Sequence, residues 1–263
     1  MARVELDDAI PYQKDVLQEI QANGTWYEGD LLWLLGKVLK PGDVFVDAGA
    51  NVGRIALLAA SFVGATGRGL AFDAEEENCQ HLEENLAKYG VQNVQCFHAA
   101  LGSSERDATL FINDDNAGGH ALWDVGILSQ NVKSREMKRT KTIRLQMLDH
   151  FIEQAGIDRL HLIKTDVEGA DHDVLKGAEK SILKYGVKFI VSEMHHAGLV
   201  QMGSNGQKFR AYMKDLGYEC YGLTPHAAGL IRLDPTLTYE LPFVFNMLFS
   251  KDSYLTQYGI FVP

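Results

Sequence analysis

The sequence predicts an α/β protein with a mostly parallel central sheet and helices on both faces. Two observations carry this. From Gly42 onward, apolar runs of strand length alternate with helical patterns, as in βαβ units. One run, Val44-Phe45-Val46-Asp47, ends in a carboxylate and breaks at once into Ala48-Gly49-Ala50-Asn51-Val52-Gly53. A buried strand that feeds a tight turn and a helix N-terminus makes a nucleotide-type pocket.

The elements follow in order. The segment from Ile10 to Leu39 reads as helices that cover one sheet face. The first strand is Val44 to Asp47, and a helix runs from Gly53 to Phe62 until Gly64 to Gly67 break it. The second strand is Gly69 to Asp73. A helix from Glu75 to Tyr89 places Leu82, Leu86 and Tyr89 at helical spacing, and Gly90 stops it. The third strand is Val94 to Ala99. Ala108 to Ile112 and Thr140 to Leu145 read as further strands, with a polar loop from Asn113 to Gly119 after the first. A short helix covers Leu148 to Ala155. The fourth core strand is Leu160 to Val167, followed by a helix from Asp171 to Tyr185 with Asp171 as N-cap. The fifth strand is Phe189 to Glu193, and a helix spans Gln207 to Leu216. Short strands at Tyr218 to Leu223, Gly229 to Leu233 and Phe243 to Ser250 complete the chain. The whole is expected to be one domain, residues 1–263, with residues 1–40 as a helical cover and 41–250 as the core.

Composition narrows the function. A formal net charge of −10 argues against nucleic acid, which needs a basic face. Lys133, Arg135, Lys138, Arg139, Lys141 and Arg144 form one local basic patch. It reads first as a solvated edge, and second as a landing surface for an anionic substrate. Cys79, Cys96 and Cys220 lie far apart without metal or redox spacing, which fits a reducing, cytoplasmic setting. No run is apolar enough for a signal peptide or a membrane span. The expected partner is a small molecule, with no membrane involved. The sequence is compatible with a monomer or a homodimer.

Four motifs carry the chemistry. In the first, Asp47, Gly49, Asn51 and Gly53 depart from the dinucleotide fingerprint, because no third glycine follows in register. The pattern resembles the first motif of class I S-adenosylmethionine (SAM) methyltransferases. There the glycines admit the methionine part of the cofactor, and Asp47 would accept hydrogen bonds from its ammonium group, directly or through water. In the second, Asp73 ends a strand where an acid accepts both ribose hydroxyls of a nucleoside. The end of the third strand, Ala99-Ala100-Leu101, is small and apolar and suits adenine, with Ala100 at its centre; His98 is expected to be structural. In the third, Lys164, Asp166 and Glu168 alternate on a strand and so share a face, with Gly169 making the turn. Three charges in a buried strand are costly unless paired or used. In the fourth, Glu193 ends the fifth strand, and His195 and His196 follow on a loop. A histidine there suits a general base. The spacing of these acids and histidines is not diagnostic of a metal, and none is expected.

Asp47-Ala48-Gly49-Ala50-Asn51-Val52-Gly53, Leu148-Asp149, Ile163-Lys164-Thr165-Asp166-Val167-Glu168-Gly169-Ala170 and Val174-Leu175-Lys176-Gly177-Ala178 together resemble the FkbM family of SAM-dependent methyltransferases. The resemblance runs from about Gly42 to Tyr221. It implies a Rossmann-like class I methyltransferase fold and methyl transfer, mostly to oxygen, on sugars, polyketides and other natural products. Two positions depart from the family. Asp73-Ala74 stands where Glu-Pro is usual, and Asp171 where Glu is usual.

The resulting expectation is a SAM-dependent O-methyltransferase acting on a small molecule. N-methylation, or SAM binding without catalysis, are the alternatives. Asp166 and Glu168 are expected to position the acceptor, and His195 or one of those acids to take its proton. The stretch Asn113 to Asn131, with Gly118-Gly119-His120 and Trp123, is the expected substrate cover. Trp26-Tyr27-Glu28 reads either as core packing or as a lid. An NAD-dependent oxidoreductase is the rival from another class.

Overall fold

A computed structural model describes residues 5–224, 229–239 and 244–262. Two helices open the chain, α1 (Pro11–Asn23) and α2 (Gly29–Val38). The core then alternates: β1 (Val44–Ala48), α3 (Arg54–Val63), β2 (Arg68–Asp73), α4 (Glu76–Lys88) and β3 (Val94–His98). A side layer follows, made of β4 (Ala100–Leu101), β5 (Arg106–Phe111), α5 (Val132–Met137) and β6 (Thr140–Gln146). The core resumes with α6 (Leu148–Gln154), β7 (Leu162–Thr165), α7 (Asp171–Lys176), α8 (Glu179–Tyr185) and β8 (Phe189–Met194). After α9 (His196–Gln201) and α10 (Gly206–Asp215) come β9 (Glu219–Thr224), β10 (Gly229–Arg232), β11 (Phe245–Ser250) and α11 (Asp252–Gln257).

The main sheet has the order β10-β9-β11-β8-β7-β1-β2-β3. From β8 to β3 every pairing is parallel. β11, β9 and β10 add antiparallel pairings at the other edge. The mostly parallel Rossmann-like sheet expected from the sequence is therefore present. β1 is buried at every position, as a strand covered on both faces must be. Its side chains alternate between two apolar layers. Val44, Val46 and Ala48 join the layer of α6, α7 and α8, while Phe45 faces the layer of α1, α2 and α3. The N-terminal helices thus share one core with the sheet face that carries Asp47 and Lys164.

Several elements differ from expectation for local reasons. β4, β5 and β6 form a separate three-stranded sheet, in which β4 runs parallel and β5 antiparallel to β6. β4 has only two residues, too few to leave a periodic signal. The helix expected over Asp171 to Tyr185 is two helices. It breaks at Gly177, where a Cβ would stand 2.0 Å from the Gly102 carbonyl oxygen. The Asp149 carboxylate accepts the Ser181 and Lys180 amides at 2.8 and 3.2 Å and so caps α8 from outside the helix. Asp171 is not an N-cap. Ala170 holds that position, and Asp171 accepts the Gly169 amide at 3.2 Å from the first turn. β7 ends at Thr165, so Asp166 and Glu168 leave the strand and do not alternate along it. The start of the strand expected at Phe243 lies outside the described residues.

Candidate functional site

β1 and β7 are neighbours, but the chain leaves them in opposite directions, toward β2 and toward β8. Such a switch point opens a crevice at the carboxyl ends of the strands. A cavity of about 610 Å³ lies there. Gly49, at φ +76°, lies in its wall. A Cβ on Gly49 would stand 1.8 Å from the Asp166 carbonyl oxygen, so the first turn and the end of β7 meet backbone to backbone. Asn51 is left-handed at φ +50°. Its side chain accepts the Val52 amide at 2.7 Å, and its own amide donates to Asp73 Oδ2 at 2.8 Å. Asp73 Oδ1 accepts the Glu75 amide at 2.9 Å and the Asn78 side chain at 3.1 Å. The Asp73 carboxylate therefore binds two separate connections together at the cavity wall.

Most of the predicted residues line this cavity: Gly49, Asn51, Asp73, Ala100, Asp166, Glu168 and His195. Phe72, Ala74, Ala99 and Leu101 add small and apolar walls, and Glu193 and Tyr27 are also in the lining. Asp47 and Gly53 do not line it. Gly53 sits behind the turn, where a Cβ would meet Leu82 at 2.2 Å. Asp47 is 1% exposed, with the Lys164 ammonium 3.2 Å away. His98 lies outside the cavity wall with Nε2 3.2 Å from the Ala74 carbonyl.

The acidic part of the site is organised around Lys164. Its ammonium lies 3.2 Å from Asp47 and 3.4 Å from Asp166, and it donates to the Gly49 carbonyl at 3.1 Å. Burial opposes its charge, but Asp47, Asp166 and Glu28 together hold its pKa above the ordinary lysine value. The carboxyls outnumber that one cation. Burial, with Asp166 and Asp171 adding to it, pushes Glu168 up to about 8. Burial likewise pushes Glu28 up to about 7 against the pull of Lys164, and lifts Glu193 well above the usual carboxylate range. The Trp26-Tyr27-Glu28 motif splits: Trp26 is 3% exposed in the core, whereas Tyr27 is 62% exposed and lines the cavity. The Arg54 guanidinium lies 5.2 and 5.3 Å from the two rings. Asn78 was not anticipated, since an asparagine inside a helix has no sequence signal of its own.

His195 is the one residue between β8 and α9, and His196 begins the helix. His195 is the N-cap of α9, and its Nδ1 accepts the Gly198 amide at 2.8 Å. Its Nε2 lies 3.5 Å from Glu168 Oε2. Burial holds its pKa below the ordinary histidine value. Trp123, from the expected cover, donates its indole N–H to the Glu168 carbonyl at 2.7 Å, with its ring 5.6 Å from that of His195. Asn113, Asn116, His120 and Asn131 from the same stretch also line the cavity. In the basic patch, Arg139 pairs with Asp114, Lys141 with Glu75, and Arg144 with Asp107 and Glu105. Arg135 donates to the Gly126 and Leu128 carbonyls. Among the described residues no three His, Cys, Asp or Glu side chains gather as a metal-ligand set, and no helix is long and apolar enough to cross a membrane.

The residues present fit SAM. Gly49, Asn51, the acid Asp73 and the apolar run Ala99, Ala100 and Leu101 line one cavity at the carboxyl ends of the strands, a donor and acceptor set that suits a nucleoside with an amino-acid tail. The chain is 28% identical to the AMB antimetabolite synthetase AmbE of Pseudomonas aeruginosa, over 61% of this chain and 9% of that protein. It is 24% identical to the 2-O-methyltransferase NoeI of Sinorhizobium fredii, over 59% of this chain and 64% of that protein. The chain thus spans less than two thirds of either relative. Among solved structures, a methyltransferase FkbM from Methylobacillus flagellatus KT is similar at 14% identity and a TM-score of 0.49, over 92% of this chain and 60% of that one. Residues 47–220 match the model of the methyltransferase FkbM domain, and the chain belongs to that family.

Proposed function

We propose that this protein transfers a methyl group from SAM to a hydroxyl of a small-molecule acceptor. The observation that carries the reading is the make-up of the cavity wall, where Gly49, Asn51, Asp73 and the small apolar run Ala99, Ala100 and Leu101 stand together with Asp166, Glu168, Glu193 and His195. In this reading Gly49, Asn51 and Gly53 shape the methionine end of the cofactor site, and Asp47 supports them from behind through Lys164. Asp73 serves the ribose, and Ala100 with its neighbours serves the adenine. When bound, SAM supplies a reactive methyl on a sulfonium, so alignment and exclusion of water are the main tasks left to the protein. Asp166, Glu168 and His195 face the acceptor. Tyr27 and the stretch from Asn113 to Asn131 close around it. The name of the 2-O-methyltransferase NoeI supports oxygen as the acceptor atom.

Calorimetric titration with S-adenosylhomocysteine, with NAD as control, tests the cofactor. One-site binding of S-adenosylhomocysteine alone is expected. Binding of NAD alone would overturn the reading. Transfer of radiolabelled methyl from SAM to a panel of glycosides and phenols then tests the acceptor class, and labelling of amines alone would move the assignment to nitrogen.

A further inference from the structure

We infer that Glu168 takes the acceptor's proton, and that His195 serves it as a fixed Nε2–H donor and not as the base. The inference rests on the methyltransferase reading of the site. It deepens that reading by choosing among the groups that face the acceptor.

The choice follows from the hydrogen bond at the other side of the imidazole. A neutral imidazole has one N–H and one lone pair. His195 spends its lone pair at Nδ1 on the Gly198 amide, 2.8 Å away. The proton of the neutral ring must therefore sit on Nε2, the nitrogen 3.5 Å from Glu168 Oε2. A base must offer a lone pair, and none is left on the side that faces the carboxylate. For His195 to accept a proton at Nδ1, α9 would have to give up its cap.

The backbone around Glu168 is built to hold this pair. Glu168 adopts φ +54°, a conformation that non-glycine residues rarely take and that concentrates at functional sites. The indole of Trp123 fixes its carbonyl at 2.7 Å. Gly169 follows at φ +91°, where a Cβ would stand 2.3 Å from the Gly198 carbonyl carbon. A Cβ on Gly198 would in turn meet the Glu168 carbonyl oxygen at 2.6 Å. Two glycines thus let the start of α9 press against the Glu168 turn and bring His195 to the carboxylate.

The other charged groups that face Glu168 are Asp166, Asp171 and Glu193. Lys164 is taken up by Asp47, Asp166 and the Gly49 carbonyl, so it does not neutralise Glu168. Asp171 is fully buried and turned to the Gly169 amide. Burial among acids makes the Glu168 carboxylate a stronger base than an exposed one. In the step itself the acceptor oxygen bonds to the methyl carbon, the electron pair of the broken C–S bond stays on sulfur, and the hydroxyl proton passes to a Glu168 carboxylate oxygen.

The test reads the tautomer directly, on protein with ¹⁵N-labelled histidine and with S-adenosylhomocysteine added. Long-range ¹H–¹⁵N correlation spectra at pH 7.5 should show His195 neutral, with its proton on Nε2. Loss of one set of signals in His195→Gln assigns the residue, and Glu168→Gln should leave the tautomer unchanged, because Gly198 sets it. A proton on Nδ1, or a cationic ring at pH 7.5, would overturn the inference. Failure of S-adenosylhomocysteine to bind would instead remove the methyltransferase reading, and the spectra would report on the tautomer regardless. On an acceptor from the panel, Glu168→Gln should lower kcat at least about 100-fold with KM for SAM held. His195→Ala should lower it about 10- to 100-fold, as loss of a supporting partner does, and His195→Gln should recover most of that loss. Equal and complete loss in both His195 variants, with Glu168→Gln active, would make His195 the base.

Discussion

Asp47 and Lys164 are direct cross-strand partners in β1 and β7, with the ammonium 3.2 Å from the carboxylate and both side chains almost wholly buried. Among the described residues no group but Lys164 reaches the carboxylate oxygens of Asp47, so the cation is what offsets their burial. Removing one partner of a buried pair leaves an uncompensated charge. Lys164→Met should therefore destabilise the protein by about 3–5 kcal/mol. Lys164→Met with Asp47→Asn should restore most of it. Urea denaturation of both variants checks this, and additive losses in the double variant would show that the two side chains do not compensate each other.

Gly49 carries a sharper steric demand. Its φ of +76° costs any other residue, and a Cβ would stand 1.8 Å from the Asp166 carbonyl oxygen. That atom is backbone and cannot swing away. Gly49→Ala should cost at least about 2 kcal/mol, since strain and overpacking each contribute about 1–3 kcal/mol. It should also displace Asp166, and so weaken S-adenosylhomocysteine binding beyond the loss of stability. Thermal denaturation and calorimetry on the same preparation separate the two effects. Wild-type stability would mean that the two turns do not meet.

The contrast between these residues and the acidic pocket explains what was legible in the sequence. The strands of the main sheet are near-continuous apolar runs, and their carboxyl ends carry Gly49, Asn51, Asp73 and Asp166 within a few residues. Local pattern was enough to find them. The motif places Asp47 at the end of β1, but its pairing with Lys164 appears only in the β1–β7 register. Glu28 comes from the turn between α1 and α2, far from the other acids in sequence, and no local signal ties it to them. The His195 tautomer depends on the Gly198 amide, hence on α9 starting one residue after the histidine. The two-residue strand β4 is fixed by its pairing with β6, and the break at Gly177 lies against the Gly102 carbonyl; both are contacts between distant residues, which periodicity does not encode.

Asp73 offers a test that separates structure from binding. Its carboxylate already accepts the Asn51 and Glu75 amides and the Asn78 side chain. Asp73→Ala removes all three, and loosens the turn that holds Asn51. S-adenosylhomocysteine affinity should fall by about tenfold or more, given about 1.5–3 kcal/mol for a hydrogen bond to a charged group. Asp73→Asn keeps one acceptor oxygen and should hold the turn in part, with an intermediate loss. Equal affinity in all three proteins would remove Asp73 from the ribose site.

The raised carboxyls make the stability of this protein fall with pH. Glu168 and Glu28 have folded pKa values of about 8 and 7, and Asp171 about 6. The folded protein therefore keeps protons that the unfolded chain gives up above about pH 4. Their contribution is fully present below that point and is lost as pH rises through the folded values. Buried His172 opposes them on the acid side, since its folded pKa of about 4 means the fold loses stability as pH falls below the ordinary histidine value. Stability should peak in mildly acidic solution and decline toward pH 9. Glu168→Gln removes one of the declining contributions. It should match the wild type at pH 5 and exceed it at pH 9, while turnover is lost. In the wild type, kcat/KM should rise as Glu168 ionises near pH 8. Urea denaturation at the two pH values, beside the pH–rate profile, checks both halves. A Glu168→Gln variant less stable than the wild type at pH 9 would mean that the Glu168 carboxylate is stabilised in the fold, and it would then be too weak a base for the role assigned to it.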